Sequence, residues 1–292
     1  MFHVPVPNSN MLKQRTIKRE ITYAGIGLHT GNATSVTFLP APIDAGVTFI
    51  RKDLPGRPRI PATINHVVSV IRGTTLGLGE ARVHTVEHIC SSLLGLGIDN
   101  LNIEVDANEP PVADGSATAF VETLLNSGVE EQNAPKKILH FTDPVVYKQN
   151  ETEIRIEPSD SLTIHCQLIY DHPLLKEQEA TFKIDQETYI HQIAPARTFC
   201  FDYEVEALKR KGLAKGGSLD NAVVVGMDRI YNKEKNLRFP NEFVRHKILD
   251  FLGDLFLLGM GVRGNIHAVR VGHGHNINFV KELLKIGELI HG

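Results

Sequence analysis

The order of β-rich and helical patterns is the feature that most restricts how this chain can fold. Each half runs through strands, a helix, a further strand and a further helix, with Pro, Gly and Asp residues between the patterns. Strands grouped ahead of helices in this way predict an α+β fold rather than a parallel α/β sheet. The predicted strands lie at 34–39, 46–50, 101–105, 152–157, 162–170, 180–184 and 266–271, and the predicted helices at about 85–96, 117–126, 241–258 and 277–290.

The length of 292 residues and the repeated order together indicate two domains, built as a duplicated unit without a visible residue-level repeat. The polar stretch EEQNAPKK at 130–137 is the best candidate for a linker. We therefore expect a first α+β domain at 11–130 and a second at 138–292. Residues 197–225 carry a charged helical pattern and a Gly-Gly turn, and they are predicted to be an insert in the second domain.

The composition excludes several classes of protein. With 31 basic and 34 acidic residues the formal net charge is -3, so the chain lacks the basic footprint of a nucleic-acid binder. Its three cysteines show no C-x-x-C spacing, which argues against a disulfide framework and is typical of a reducing cytoplasm. No secretory signal is expected near the N-terminus, because no continuous apolar segment follows its basic residues. The most apolar segment, 248–262, is too short for a membrane span and contains two aspartates, so we expect no integral membrane segment.

The long predicted helix, NEFVRHKILDFLGDLFLLG, combines an apolar surface with a polar stripe. His246, Asp250 and Asp254 stand four residues apart and therefore share one face of the helix. Its other sides are largely apolar, so the carboxylates are expected to be at least partly buried, and a buried carboxylate without a partner is very unfavourable. A bound metal or a hydrogen-bonded base would satisfy them. The structural alternative is that the aspartates cap nearby loops or pair with Arg245 or Arg263.

A catalytic zinc site needs three protein ligands and one open position, so His246 and Asp250 require a third ligand from elsewhere. The stretch RVHTVEHICSSLLG offers His88 as that ligand and Glu87 as an adjacent base. The same stretch also matches the inverted zinc-peptidase motif H-x-x-E-H, in which His84 and His88 both bind metal. That interpretation leaves His246 and Asp250 unexplained. We therefore favour a split site in which His84 is dispensable.

A glycine-rich stretch, VGHGHNIN at 271–278, is predicted to be a loop after a strand, where catalytic side chains are commonly placed. One of its histidines, His273 or His275, could act as a general acid or stabilise an oxyanion, because histidine titrates near neutral pH. A lone loop histidine is more often simply solvated. The stretch therefore gives a weak indication of function by itself.

Several motifs, in order and with compatible spacing, extend over nearly the whole chain from about Leu12. The motifs are GIGLHTG (25–31), HTVEH (84–88), DGSA (114–117), ARTF (196–199), GGS (216–218), FVRHKILDFLGDL (243–255) and GHGHN (272–276). Together they resemble one family, the UDP-3-O-acyl-N-acetylglucosamine deacetylases, which are zinc amidases of lipid A biosynthesis.

The resemblance implies a fold and a metal. Two similar domains, each a sheet with helices on one face, would pack so that the helices lie between the sheets and the active site lies between the domains. One zinc ion, with iron(II) as an alternative, would be bound by His88, His246 and Asp250. Glu87 would be the general base.

The resemblance also implies roles for other residues. His273 matches the catalytic histidine of the family, Asp254 its orienting partner, and Thr198 a hydroxyl near the reacting carbonyl. The insert at 197–225 matches the element that forms a hydrophobic passage for the acyl chain. The substrate-binding positions that the resemblance implies are Lys247, Phe199, His29 and Gly217.

The implied reaction is hydrolysis of the N-acetyl group of UDP-3-O-(hydroxyacyl)-N-acetylglucosamine, which gives acetate and the free amine. We expect a cytoplasmic protein with an amphiphilic substrate and no nucleic-acid partner, and the resemblance further implies a monomer. Two features depart from the family pattern. Cys200 follows Phe199 where a small residue such as glycine is expected, and the residues before Met11 match nothing in the family.

Three rival interpretations remain open. A non-haem iron oxygenase could also use two histidines and a carboxylate, but no H-x-D pair on a β-rich core is visible. A zinc peptidase predicts that His84→Ala abolishes metal binding, whereas the split site predicts that His84→Ala keeps the metal and His246→Ala loses it. A non-catalytic binding protein predicts no bound metal and no dependence on Glu87.

Overall fold

The computed structural model describes residues 12–291. The unmatched residues before Met11, and the start of the predicted first domain at residue 11, lie outside the described residues. No helix between residues 12 and 291 is long and apolar enough to cross a bilayer. Numbered in chain order, the helices are α1 Glu87–Leu96, α2 Thr118–Ser127, α3 Gln186–Thr188, α4 Asp202–Arg210, α5 Glu242–Phe256 and α6 His273–Ile286.

The first half of the chain forms a mixed five-stranded sheet. In spatial order its strands are β2 (Ile21–Ile26), β3 (Ala33–Pro40), β9 (Leu101–Val105), β4 (Val47–Arg51) and β5 (Arg59–Pro61). Strand β9 runs parallel to β4, and the other neighbouring strands are antiparallel. Alternate residues of β3 are buried, Val36 and Phe38 among them, as expected for a sheet with one covered face.

The second half forms a five-stranded sheet with the same topology. In spatial order its strands are β12 (Val145–Gln149), β13 (Thr152–Glu157), β20 (Gly264–Val269), β14 (Leu162–Ile169) and β15 (Glu177–Lys183). Strand β20 runs parallel to β14, and the other neighbours are antiparallel. In each half the central strand, β9 or β20, follows the helix α1 or α5 in sequence. The repeated order of the sequence patterns is therefore also a repeated topology.

The helices of the two halves pack against each other. Helix α1 contacts α5, α2 contacts β2, α5 contacts β14 and β15, and α6 contacts both α5 and β12. Buried apolar side chains from both halves form one contiguous core. The predicted α+β fold is confirmed, whereas the division into domains at 11–130 and 138–292 stays a prediction.

Short strands form the remaining sheets, and a 3-10 helix at Ile64–His66 and a π-helix at Tyr189–Ile193 lie between the elements named above. Strands β16, β17 and β18, with helix α4, occupy the predicted insert and the residues just after it. The short sheets contain β1 (Lys13–Ile17) and β10 (Val129–Pro135); β6 (Val67–Ser69), β7 (Thr75–Leu78) and β8 (Ala81–Val83); β11 (Lys137–His140), β19 (Gly261–Val262) and β21 (Glu288–His291); and β16 (Phe199–Phe201), β17 (Val223–Val225) and β18 (Ile230–Tyr231).

The predicted linker at 130–137 is wrong as a description of this segment, because most of it forms β10, which pairs with β1. Its polar side chains are compatible with a strand because they lie at the surface or bond to neighbouring segments. The Gln132 side chain donates to the Ala41 carbonyl and accepts from Asn100. A polar composition therefore indicated exposure here and not an irregular backbone.

The last helix is displaced from its predicted position. Helix α6 spans His273–Ile286, so His273 begins a helix instead of lying in a loop. The Asn276 N–H donates to the Gly272 carbonyl, and the Asn276 side chain bonds to Asp254 of α5. The bond to Asp254 is a tertiary contact that favours a helix in this glycine-rich stretch, since tertiary contacts can override a weak helix propensity. Residues Glu288–His291 form β21 and not a helix end.

Candidate active site

Three buried side chains from two helices form a group that could hold a metal ion. His88 lies in the first turn of α1, and His246 and Asp250 lie one turn apart on α5. One ligand atom from each of the three lies within 4.8 Å of the others. Because α1 belongs to the first half and α5 to the second, the group exists only when the halves are packed together.

The charge states of this group suit a divalent cation. Burial lowers the pKa of His88 to about 3 and also lowers the pKa of His246, so both imidazoles are neutral near pH 7. Burial would raise the pKa of the Asp250 carboxyl, but His246, Lys247 and His273 lower it well below its usual range. Two neutral imidazoles and one carboxylate are a ligand set typical of zinc.

The orientation of His246 leaves one ring nitrogen free for a ligand. Its Nδ1 lies 3.0 Å from the Ala196 carbonyl oxygen, which can only accept, so Nδ1 carries the proton. Its Nε2 lies 3.3 Å from Asp250 Oδ1. A carbonyl that fixes the tautomer of a histidine in this way is typical of metal-binding histidines.

Glu87 lies at the start of α1 and faces the same cavity. Its Oε2 accepts the Thr74 N–H at 2.9 Å, and its Oε1 lies 3.8 Å from His273 Nε2. Burial raises the pKa of the Glu87 carboxyl to about 7, against the opposing effect of His273. A carboxylate with such a pKa can accept a proton and return it near neutral pH.

His273 and Asp254 form a hydrogen-bonded pair beside Glu87. The His273 Nδ1–H donates to Asp254 Oδ2 at 2.8 Å, and the Asn276 side chain donates to the same oxygen at 2.9 Å. Burial would lower the pKa of His273, but Asp254, Glu87 and Asp250 outweigh it and raise the pKa to about 10. His273 is therefore a cation at neutral pH, with its Nε2 directed toward Glu87.

In zinc-free protein, Asp254→Asn is expected to lower the pKa of His273 from about 10 toward its ordinary value of 6.5. Because the folded pKa is raised, charged His273 stabilises the fold fully below pH 6.5, and this contribution is lost as the pH rises through 10. The stability difference between wild type and variant should shrink across that interval. An NMR titration of the His273 ring protons measures the shift, and an unchanged pKa would contradict the assignment.

Lys247 and Phe199 lie beside the metal-binding group. The Lys247 ammonium donates to Asp250 Oδ2 at 3.0 Å and lies 5.4 Å from the centre of the Phe199 ring. Phe199 in turn contacts Phe243 and Tyr170 at ring-centre distances of 4.7 and 6.3 Å. Lys247 therefore marks the boundary between the polar group and an aromatic cluster that begins the insert.

Thr198, His29 and Gly217 lie where the first half meets the insert. The Thr198 N–H donates to the Gly115 carbonyl at 2.8 Å. The His29 Nδ1 accepts the Ala214 N–H at 3.4 Å, and the Gly217 N–H donates to the Ala214 carbonyl at 3.1 Å. His29, in the GIGLHTG loop, and Gly217, in the insert, thus both form hydrogen bonds to the backbone of Ala214.

Two candidate histidines of the sequence point away from the metal-binding group. His84 Nδ1 lies 3.1 Å from the Thr75 hydroxyl, and His275 Nδ1 lies 3.1 Å from the Tyr147 hydroxyl. The H-x-x-E-H stretch therefore contributes only its second histidine to the group of three. This geometry disfavours the inverted peptidase site.

The sequence patterns did not reveal two polar residues that organise the site. Thr74 donates its N–H to Glu87 and its hydroxyl to Asp254. Glu109 is fully buried and accepts hydrogen bonds from the backbone of His29 and Thr30 and from the Thr85 hydroxyl. Neither has a periodic or metal-ligand spacing. The DGSA motif was the nearest pattern to Glu109, and no pattern indicated Thr74.

Gly253 permits the close contact of the two helices that form the site. A Cβ at this position would lie 2.2 Å from the Glu87 carbonyl oxygen. Any side chain here would therefore push α1 and α5 apart at the position of Glu87.

Gly253→Ala is expected to lower the free energy of unfolding by about 1–3 kcal/mol because the added methyl overpacks the helix contact. Gly274→Ala is the matched control, since it also lies in a helix but its Cβ would be 3.8 Å from Val70. The control should be neutral or slightly stabilising. Urea unfolding of both variants makes the comparison. If Gly253→Ala and wild type had the same free energy of unfolding, the contact between α1 and α5 would not require a glycine at this position.

Comparisons with known proteins agree on one family and cover nearly the whole chain. A family model described as UDP-3-O-acyl N-acetylglycosamine deacetylase matches residues 14–285, a range that includes every residue of the site. The UDP-3-O-acyl-N-acetylglucosamine deacetylase of Teredinibacter turnerae is 47% identical over 277 residues, covering 94% of this chain and 91% of that protein. The enzyme of the same name from Acidithiobacillus ferrooxidans is 44% identical over 276 residues, covering 94% and 90%. The bifunctional enzyme LpxC/FabZ of Chlorobaculum tepidum is 41% identical over 307 residues, covering 95% of this chain and 65% of its own length.

Proposed function

Because this chain belongs to the UDP-3-O-acyl N-acetylglycosamine deacetylase family, we propose that it hydrolyses UDP-3-O-(hydroxyacyl)-N-acetylglucosamine. The amide C–N bond breaks, and the products are acetate and the free amine, in the committed step of lipid A biosynthesis. The observation that carries the proposal is the buried group of His88, His246 and Asp250 with Glu87 and His273 beside it.

Zinc is the metal that we assign to this group, with iron(II) as the alternative. The ligand set of two neutral imidazoles and a carboxylate fits zinc, and three protein ligands leave a position open. When bound there, zinc would supply Lewis acidity, lowering the pKa of a water molecule and polarising the acetamide carbonyl.

Glu87 is the general base. Its pKa of about 7 and its position beside the group of three allow it to take the proton of the attacking water near neutral pH. The Thr74 N–H holds one of its oxygens, so the other is the one that receives the proton.

His273 stabilises the negative charge that develops on the substrate. As a cation held by Asp254, it can donate from Nε2 to the oxyanion of the tetrahedral intermediate or to the leaving nitrogen. The one proton that the leaving nitrogen requires to become the free amine comes from Glu87, which took it from the water, or from His273. The Thr198 hydroxyl is assigned a hydrogen bond that helps to stabilise the same oxyanion.

The remaining assignments concern substrate binding. Lys247 would contact an anionic part of the substrate, and Phe199 would stand at the mouth of the acyl-chain passage formed by the insert at 197–225. His29 and Gly217 would contact the substrate where the insert meets the first half. We further propose a cytoplasmic monomer whose partner is this amphiphilic UDP-sugar, without nucleic acid.

The experiment that tests the proposed function is incubation of the purified protein with UDP-3-O-(hydroxyacyl)-N-acetylglucosamine of several acyl lengths. Stoichiometric release of acetate and free amine, followed by mass spectrometry, is the expected result. No release by a folded, zinc-loaded protein across those lengths would overturn the proposal, and peptide hydrolysis would then be tested.

A further inference from the structure

Thr74 is a fully buried threonine in the loop that leads into β7. Its backbone N–H donates to Glu87 Oε2 at 2.9 Å, and its carbonyl accepts the Val86 N–H at 3.2 Å. These bonds fix Thr74 against the start of α1. Any residue type could make them, since they use only the backbone.

The Thr74 hydroxyl makes a contact that depends on the side chain. It lies 2.5 Å from Asp254 Oδ1 on α5 and donates to it, because a carboxylate can only accept. The other oxygen of Asp254 accepts from His273 and Asn276. Among residues 12–291 the Thr74 hydroxyl is the donor to Asp254 Oδ1. The Asp254 side chain has no solvent exposure.

Donors on both oxygens hold the plane of the Asp254 carboxylate. Without the hydroxyl, Oδ1 would be a buried acceptor without a partner, and rotation of the carboxylate would become favourable. That rotation would displace the oxygen that His273 uses. The Thr74 oxygen also lies 3.2 Å from His273 Nδ1, so a methyl group in place of the hydroxyl would put an apolar group beside the ring.

We propose that Thr74 is a positioning residue that fixes both proton-transfer groups relative to each other. Its N–H holds Glu87 from α1, and its hydroxyl holds Asp254, and through it His273, from α5. One residue thus links the base to the acid pair across the contact of the two helices. The assignment of Glu87 and His273 to catalysis rests on the proposed function.

The test compares Thr74→Val, which replaces the hydroxyl by a methyl group, with Thr74→Ser, which keeps the hydroxyl and removes the methyl group. Thr75→Val is the matched control, because Thr75 is the buried neighbour whose hydroxyl bonds to His84 outside the site. For Thr74→Val we expect kcat to fall by about 10- to 100-fold, as for misplacement of a catalytic group, with KM and zinc content unchanged. Thr74→Ser and Thr75→Val should stay close to wild type.

A second measurement does not depend on turnover. In zinc-loaded protein with ¹⁵N-labelled histidine, Thr74→Val is expected to shift the ring resonances of His273 and to leave those of His88 and His246 in place. Thr74→Ser should restore the wild-type shifts. If the wild type releases no acetate, the proposed function fails, while this measurement still decides whether Thr74 positions His273.

Several results would overturn the inference. Unchanged kcat and unchanged His273 resonances in Thr74→Val would show that the hydroxyl is not required. If Thr74→Ser were as defective as Thr74→Val, the effect would come from side-chain packing and not from the hydroxyl. Loss of zinc, or a rise in KM equal to the fall in kcat/KM, would place Thr74 in ligand binding instead.

Discussion

His246→Ala is expected to abolish zinc binding and, with it, acetate release. The variant removes one of three ligands from a buried group, leaving a histidine on α1 and an aspartate on α5. Loss of a ligand should lower the zinc affinity by more than the roughly 10- to 100-fold that is typical when a residue that only supports a ligand is lost. Zinc content after dialysis and zinc affinity by competition with a chelating dye measure the effect.

His84→Ala is the control for this result. His84 belongs to the same H-x-x-E-H stretch as His88, but its ring bonds to Thr75 and not to the metal-binding group. We expect His84→Ala to retain zinc and most of its activity. Zinc loss in His84→Ala with retention in His246→Ala would support the inverted peptidase site.

Glu87→Gln is expected to lower kcat by about 10²- to 10⁴-fold, the range for loss of a general base. Zinc should remain bound, because Glu87 is not among the three ligands. The glutamine oxygen can still accept the Thr74 N–H, so the site should keep its shape. Initial rates at saturating substrate, with zinc content measured on the same samples, separate the two effects.

Glu80→Gln is the matched control, because it makes the same chemical change at an exposed position of the first half. Its kcat should equal that of wild type. A Glu87→Gln variant with wild-type kcat would remove Glu87 from the mechanism and leave His273 as the sole candidate for proton transfer.

The sequence predicted the parts of the fold that follow regular patterns. Helix α5 was predicted within two residues at each end because its long apolar surface has a helical period. Strands such as β3 and β13 were predicted because their residues alternate with a period of two. Strand β10 was missed because its polar side chains show no alternation. The start of α6 was missed because it lies in a glycine-rich stretch, and its Asn276 is hydrogen-bonded to Asp254 of another helix, which no local pattern indicates.

The site was predictable to the extent that its residues repeat along helices. His246 and Asp250 are four apart on one helix, and His88 stands beside Glu87 on another. Thr74 was not predictable in this way, because its hydroxyl meets Asp254 across 180 positions of sequence. Such a contact arises only when the two halves pack, and a threonine near a strand start carries no local indication of it.

The most direct test of the account is a zinc titration of the chelated protein with acetate release as the measured quantity. A single site shared by α1 and α5 predicts that the rate rises linearly and reaches its plateau at about one zinc ion per chain, as expected for one set of three ligands. His246→Ala should show no restored rate over the same range. A chelated protein that stays fully active, or restoration in His246→Ala equal to wild type, would contradict the account.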